Sequence, residues 1–286
     1  MHIMNEENRP QHAYATPQGV RLLQELTTQG LYIFTTEDAR ALAAQCGITS
    51  SSISYVLHEL VTAGWVQHLR RGLFAGTGSL PGAQHLHPFA VATKLIEPSA
   101  ISHWSALQHH GLTEQLPQYI TVTTPRKVVT PGMRKSAVEQ VSTDKHRWTV
   151  GADEIEFVTV HPDHFFGIEQ VWVDQLFRVP ITDRERTLLD LCVFPRRFGG
   201  MTEVLGLLEE HWASCDLARL MHYAVQYGKV VVAKRLGWAL ETVGVPQSVI
   251  EPLLALPAAN YGLVDPSRPH AGPYELRWRL RNNLRA

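Results

Sequence analysis

Histidine and carboxylate clusters are the first places to look for chemistry in this 286-residue chain. His161-Pro162-Asp163-His164, His85-Leu86-His87 and His109-His110 carry metal-ligating side chains. None has the spacing of an H-E-x-x-H or C-x-x-C site, and the proline keeps the first tract off one helical face. No metal and no other cofactor is expected. Asp153, Glu154 and Glu156 form an acidic run of the kind that nucleases and nucleotidyltransferases use, yet no lysine follows at the (D/E)-x-K spacing. Solvated edge charges account for them. No G-x-S-x-G elbow and no glycine-rich phosphate loop is present. The chain is not expected to be an enzyme.

The second kind of chemistry is recognition. Ile53, Val56, Leu57, Leu60 and Val61 fall on one helical stripe, which predicts a helix with a buried face. Ser51, Ser54, Tyr55, His58 and Thr62 then cluster on the other side, a polar surface suited to a major groove. Thr49 to Ser52 offer hydroxyls as N-caps, and Gly64 supplies a left-handed stop. Beyond it, Trp65 to Leu69 and Leu73 to Ala75 flank Arg70-Arg71-Gly72, which predicts a hairpin with two arginines at its tip. Upstream, Thr36 to Cys46 reads as a short helix and Gly47-Ile48-Thr49 as a tight turn. Helix, turn, helix and hairpin in that order predict a winged helix-turn-helix. The expected DNA contacts are Ser50, Ser51, Ser52, Ser54, Tyr55 and His58, with Arg70 and Arg71 on phosphates or in the minor groove.

Composition sets the limits. An apolar fraction of 44% supports a substantial core. No apolar run approaches the roughly 20 residues that span a bilayer, and the first residues lack a signal pattern, so a cytoplasmic protein with no membrane partner is expected. Cys46, Cys192 and Cys215 are odd in number and set in apolar helical patterns, which fits buried thiols in a reducing compartment. Net charge is −1, and residues 1 to 80 hold five arginines against six acids. Phosphate contacts must then be few, and non-specific DNA affinity weak.

The expected fold class is α+β, with an N-terminal winged helix-turn-helix and a larger C-terminal α+β domain. Residues 1–15 read as a loose tail, 16–76 as the DNA-binding domain, 77–88 as a Gly/Pro linker and 89–286 as the second domain. Thr16-Pro17 opens a first helix, and Leu31 to Phe34 is a short strand expected to pair with the hairpin. In the second domain Phe89 to Leu95 and Ser102 to His110 read as helices. Strands are expected at 120–123, 137–142, 154–160, 170–173 and 176–179. Helices then follow at 182–192, 201–212, 215–227, 230–243 and 247–256. At the end, Tyr274, Leu276, Trp278 and Leu280 alternate with Glu275, Arg277, Arg279 and Arg281, which predicts a half-buried strand returning to the sheet. Its basic face, Arg277, Arg279 and Arg281 with Arg285 beside it, is a candidate auxiliary nucleic-acid contact or a plain solvated face.

The order of segments resembles the AbiEi family of antitoxins from type IV toxin-antitoxin systems. The winged helix and linker are followed by Ser102 to Leu107 with Gly111-Leu112, the strand Ile120 to Thr124, the Thr182 to Asp190 helix, Arg235 to Glu241, and Arg277 to Leu280. The resemblance implies a transcriptional autorepressor that binds inverted repeats in promoter DNA and opposes a nucleotidyltransferase toxin through its C-terminal domain, without necessarily forming a stable complex. A recognition helix without Lys or Arg departs from the more basic readers of that family. Two other classes are consistent with the residues: a ligand-responsive regulator of another family, and a nucleic-acid enzyme using Asp153, Glu154 and Glu156.

Overall fold

The computed structural model describes residues 16–77, 86–134 and 147–284. The expected tail at 1–15, most of the linker, the strand at 137–142 and Arg285 lie outside them. The described chain divides into two compact units. One comprises residues up to Leu95 together with Asp174–Phe177, and the other comprises Ile96–Val173 and Arg178 onward.

In the first unit, α1 (Pro17–Thr28) starts as its sequence demands: Thr16 accepts a hydrogen bond from Gly19 N–H at 3.2 Å, and Pro17 fills the first turn. Strand β1 (Ile33–Thr35) leads into α2 (Thr36–Ala43), where Thr35 and Asp38 form a reciprocal capping box. One 3-10 turn, Ala44–Cys46, and left-handed Gly47 then redirect the chain. Helix α3 (Ile53–Thr62) buries Ile53, Val56, Leu57 and Leu60. It ends in a Schellman motif, with Gly64 N–H on the Val61 carbonyl and Trp65 N–H on the Leu60 carbonyl. Strands β2 (Val66–Arg70) and β3 (Leu73–Gly76) form the hairpin, and β1 pairs with β3 in the sheet order β1-β3-β2. The three helices pack around Leu22, Leu26, Phe34, Ile53 and Leu60. Helix α4 (Pro88–Leu95) belongs to this unit, although sequence patterning puts residues from 89 onward in the second domain. One tie is Arg70, whose Nε donates to the Leu95 carbonyl at 2.7 Å.

The second unit opens with β4 (Ala100–Ile101), α5 (His103–His109) and β5 (Ile120–Thr124). Five consecutive β-branched residues make β5 a central strand. After α6 (Pro131–Arg134) come β6 (Arg147–Val150), β7 (Asp153–Thr159), β8 (Ile168–Trp172) and β9 (Arg178–Thr182). They complete a six-stranded mixed sheet of order β6-β7-β5-β4-β9-β8, in which β5 runs parallel to β7 and β4 parallel to β9. Sequence patterning misses β4, too short for any periodicity, and β6. It also misplaces β8 and β9 by two or three residues, because Asp174 Oδ1 accepts from Leu176 and Phe177 N–H and turns a stretch that reads as strand.

Helices α7 (Arg184–Val193), α8 (Met201–His211), α9 (Leu217–Gln226), α10 (Val230–Thr242) and α11 (Gln247–Leu254) follow and share one large apolar core. Asp183 and Asp216 cap α7 and α9 with their carboxylates. The last elements, β10 (Gly262–Leu263), β11 (Tyr274–Glu275) and β12 (Leu280–Arg281), form a separate three-stranded sheet. The expected continuous strand from Tyr274 to Arg281 is therefore broken by a turn at 276–279. Tyr274 and Leu276 stay exposed while Trp278 and Leu280 are buried, so the alternation is decided by packing onto α10 rather than by strand geometry.

Trp278 lies over Gly237 of α10, and a Cβ on that glycine would meet the indole ring. The Trp278 Nε1 donates to Glu241 one helical turn later. Gly237→Ala is therefore expected to destabilise the protein by about 1–3 kcal/mol through overpacking. Urea denaturation measures this, and an unchanged midpoint would contradict the packing described.

Candidate nucleic-acid interface

The buried stripe of α3 fixes what faces outward. Ser54, Tyr55 and His58 are exposed on the opposite side, Tyr55 by 62%. These three side chains make no hydrogen bond among the described residues, so their polar groups are available to a ligand. Val61 is half-buried, and the Thr62 hydroxyl is occupied by the His58 carbonyl at 2.9 Å.

Ser50, Ser51 and Ser52 are exposed but precede the helix, in the turn that leads into it. Sequence reading has their hydroxyls capping α3; Ser52 occupies the cap position without a side-chain bond to the helix. Its Oγ instead lies 2.7 Å from Thr49 Oγ1, and Ser51 Oγ lies 3.1 Å from the same atom. Neighbouring hydroxyls satisfy one another more readily than they reach the amides. The result is a small hydroxyl cluster at the positive end of the α3 dipole.

The hairpin separates the two arginines expected to act together. Arg71 is exposed in the two-residue loop Arg71-Gly72, and Gly72 has φ +72°. Arg70 is half-buried, with Nε on the Leu95 carbonyl and Nη1 on the Arg71 carbonyl at 3.3 Å. Its guanidinium is partly spent on this unit's own chain. A register shift between His68 and Arg70 makes a bulge that leaves consecutive residues Gln67 and His68 exposed. Strict alternation would have turned one of them inward, so the sequence does not single them out.

The candidate auxiliary arginines do not share the face of one strand. Arg277 pairs with Glu241 at 3.1 Å, Arg279 donates to Tyr261 Oη at 3.2 Å, and Arg281 Nε donates to the Gly272 carbonyl at 3.1 Å. Arg279 has φ +53°, which a continuous strand does not allow. Each has a structural partner, on α10 or in the segments that lead into β10 and β11.

The acidic run on β7 is also partnered. Glu154 meets Arg147 and Glu156 meets Arg197, each at 2.6 Å, while Asp153 is exposed. Of the histidine tracts, His161 Nδ1 accepts from Asp163 N–H, His110 Nε2 donates to the Thr182 carbonyl at 2.7 Å, and His87 Nδ1 accepts from Phe89 N–H. His164 stacks on Tyr227 with centroids 4.0 Å apart. No group of three potential ligands suited to a metal occurs among the described residues.

One strongly perturbed group is a residue that sequence patterning passes over. His103, the first residue of α5, is 1% exposed with φ +54°, and its Nδ1 bonds Ser102 Oγ at 2.8 Å. Phe198 stacks on its ring and Phe194 lies tilted against it. Burial, reinforced by the charges of Arg197 and Arg186, pushes its pKa down to about 3. Ser102 Oγ is its hydrogen-bonded neighbour, Nε2 has no partner among the described residues, and no carboxylate orients the ring, so the geometry is that of a core histidine held neutral.

No family model matches the sequence, and no curated protein matches it. Among solved structures, the fold is similar to that of the RV2827C protein from Mycobacterium tuberculosis. The TM-score is 0.61 at 15% identity, over 93% of this chain and 92% of that chain. At that identity the likeness shows the α+β fold alone. No helix among the described residues is long and apolar enough to cross a membrane.

Stability depends on pH through His103. Its folded pKa lies below the unfolded value of about 6.5, so between those values the unfolded chain binds the extra proton. Its contribution to stability is complete above pH 6.5 and is lost as pH falls toward 3, with a limiting slope of about 1.4 kcal/mol per pH unit. His103→Asn, which tolerates the left-handed backbone, is expected to flatten this part of the stability profile in urea titrations. Parallel profiles for the two proteins would refute the assignment.

Proposed function

We propose that this protein is a DNA-binding transcriptional repressor that reads operator repeats with α3 and the β2-β3 hairpin, and that it serves as the antitoxin of a type IV toxin-antitoxin system. The observation that carries the DNA reading is the exposed Ser54, Tyr55 and His58 surface, presented by a helix whose opposite side is fully committed to the core. The antitoxin role rests on the resemblance to AbiEi antitoxins, with a nucleotidyltransferase toxin as functional partner. Glu154 and Glu156 on β7 are each held by an arginine, which favours a non-catalytic second unit.

Electrostatics shape how DNA would be held. Between residues 16 and 95 there are five cations against four acids, and Arg70 is partly engaged internally. Binding then depends on few phosphate contacts and on base-edge readout by hydroxyl, phenol and imidazole groups. The salt dependence is correspondingly shallow.

Affinities for operator and random duplexes across salt concentration test this reading. Arg71→Ala is expected to weaken both duplexes alike and to lower the salt slope by about one, the signature of a lost phosphate contact. Tyr55→Ala is expected to cost on the order of 1–3 kcal/mol at the operator with little change on random DNA. Wild-type affinities in both variants would remove α3 and the hairpin from the interface. For the antitoxin role, co-expression with an adjacently encoded nucleotidyltransferase should relieve its toxicity, and failure to do so would reject that role.

A further inference from the structure

A cavity of about 190 Å³ in the second unit lies between the start of α10, the segment after α11, and the turn before β12. Two cations line it, Lys234 and Arg279, and no Asp or Glu is among its lining residues. Lys234 is only 3% exposed, and its Nζ donates to the Leu254 carbonyl at 2.7 Å. That bond uses one of the three ammonium donors. Arg279 holds a left-handed backbone, φ +53°, and its guanidinium donates to Tyr261 Oη. Non-glycine residues adopt that conformation at a cost, and such positions concentrate at ligand clamps.

The first turn of α10 adds to the same field. Val230 and Val231 line the cavity, the cap residue Lys229 contributes no side-chain hydrogen bond, and the first turn has no acidic residue. The positive end of a 13-residue helix thus lies at the wall of the cavity that the two side-chain charges line. Like charges gathered in one partly desolvated space repel, and burial together with Arg279 holds Lys234 below the usual lysine pKa. An anion would turn this repulsion into attraction. Asn260 adds a polar side chain to the wall, and Pro257, Ala258 and Ala259 add small apolar surface.

We propose that this cavity is a binding site for a phosphate group, held by Lys234, Arg279 and the amino end of α10. Ordinary small-molecule pockets span about 300–1,000 Å³. The smaller volume here suits inorganic phosphate or the phosphate end of a small monoester. The site is separate from the DNA reading of the first unit and does not depend on it.

Isothermal titration of the full chain with inorganic phosphate, at constant ionic strength with chloride as control, is the direct test. Saturable one-to-one binding is expected, weakened about tenfold or more in Lys234→Met and in Arg279→Asn, as the loss of a charge-assisted hydrogen bond requires. Arg279 is exposed and asparagine accepts a left-handed backbone, so Arg279→Asn decides the matter even if Lys234→Met fails to fold. Glycerol phosphate provides the second arm: tighter binding than inorganic phosphate assigns a monoester ligand, and weaker binding assigns the free ion. Absence of saturable binding of both probes, or equal phosphate affinity in wild type and Arg279→Asn, would overturn the proposal.

Discussion

The second unit is built around one buried guanidinium. Arg186 is 1% exposed, and removing such a charge from water costs several kcal/mol unless its donors are matched. Here they are. Nε meets Asp190 at 3.0 Å, and Nη1 meets the carbonyls of His164 and Phe166 at 2.6 and 3.1 Å. The Phe166 and Tyr227 rings flank the cation. Burial raises the Asp190 pKa, and the neighbouring guanidinium offsets only part of that rise. The arrangement pins the 161–167 segment to α7 and so sets where β8 begins. Gly167 is part of the same constraint, because a Cβ there would lie 2.7 Å from Arg186 Cβ.

Polar groups around this centre link sheet and helices in the same manner. Asp183 caps α7 with one carboxylate oxygen and accepts from Tyr223 Oη of α9 with the other, at 2.7 Å. Glu185 accepts from Asp216 N–H at the start of α9. Arg235 of α10 reaches the carbonyls of Val264 at 2.9 Å and Cys192 at 2.6 Å. Two segments, Thr182 to Asp190 and Arg235 to Glu241, supply these ties. Asp183, Glu185, Arg186 and Arg235 act as internal fasteners, because each meets a backbone group, a hydroxyl or an opposite charge in place of water.

The first unit follows a different logic. Its helices are specified almost wholly by local signals, namely the Thr16 cap, the Thr35–Asp38 box and glycines at left-handed exits. Its core is apolar apart from Thr93 of α4. Because no polar group of α3 is needed inside, Ser54, Tyr55 and His58 stay on its exposed face. Few cations accompany it in sequence, so the proposed DNA reading relies less on bulk attraction than on contacts that depend on shape and hydrogen bonding.

Residue order alone determined the elements with strong period or punctuation: α1 to α3, the hairpin, β5, β7 and the five helices from 184 to 254. It also determined the outward placement of Ser54, Tyr55 and His58, because a helical stripe of five apolar residues leaves one possible exposed side. Tertiary structure decided whatever depends on distant partners. The alternation from Tyr274 to Arg281 has the period of a strand, yet Trp278 finds its place over Gly237 and the chain turns, since burying an indole outweighs extending a short ladder. Arg70 and Arg71 are adjacent in sequence, but a carbonyl at Leu95 claims one and leaves the other in solvent. Lys234 and Arg279, 45 positions apart, meet in one cavity only because β12 returns beside α10. Local free-energy preferences are written in neighbouring residues, whereas burial of charge and aromatic surface is settled by what the folded chain brings from far away.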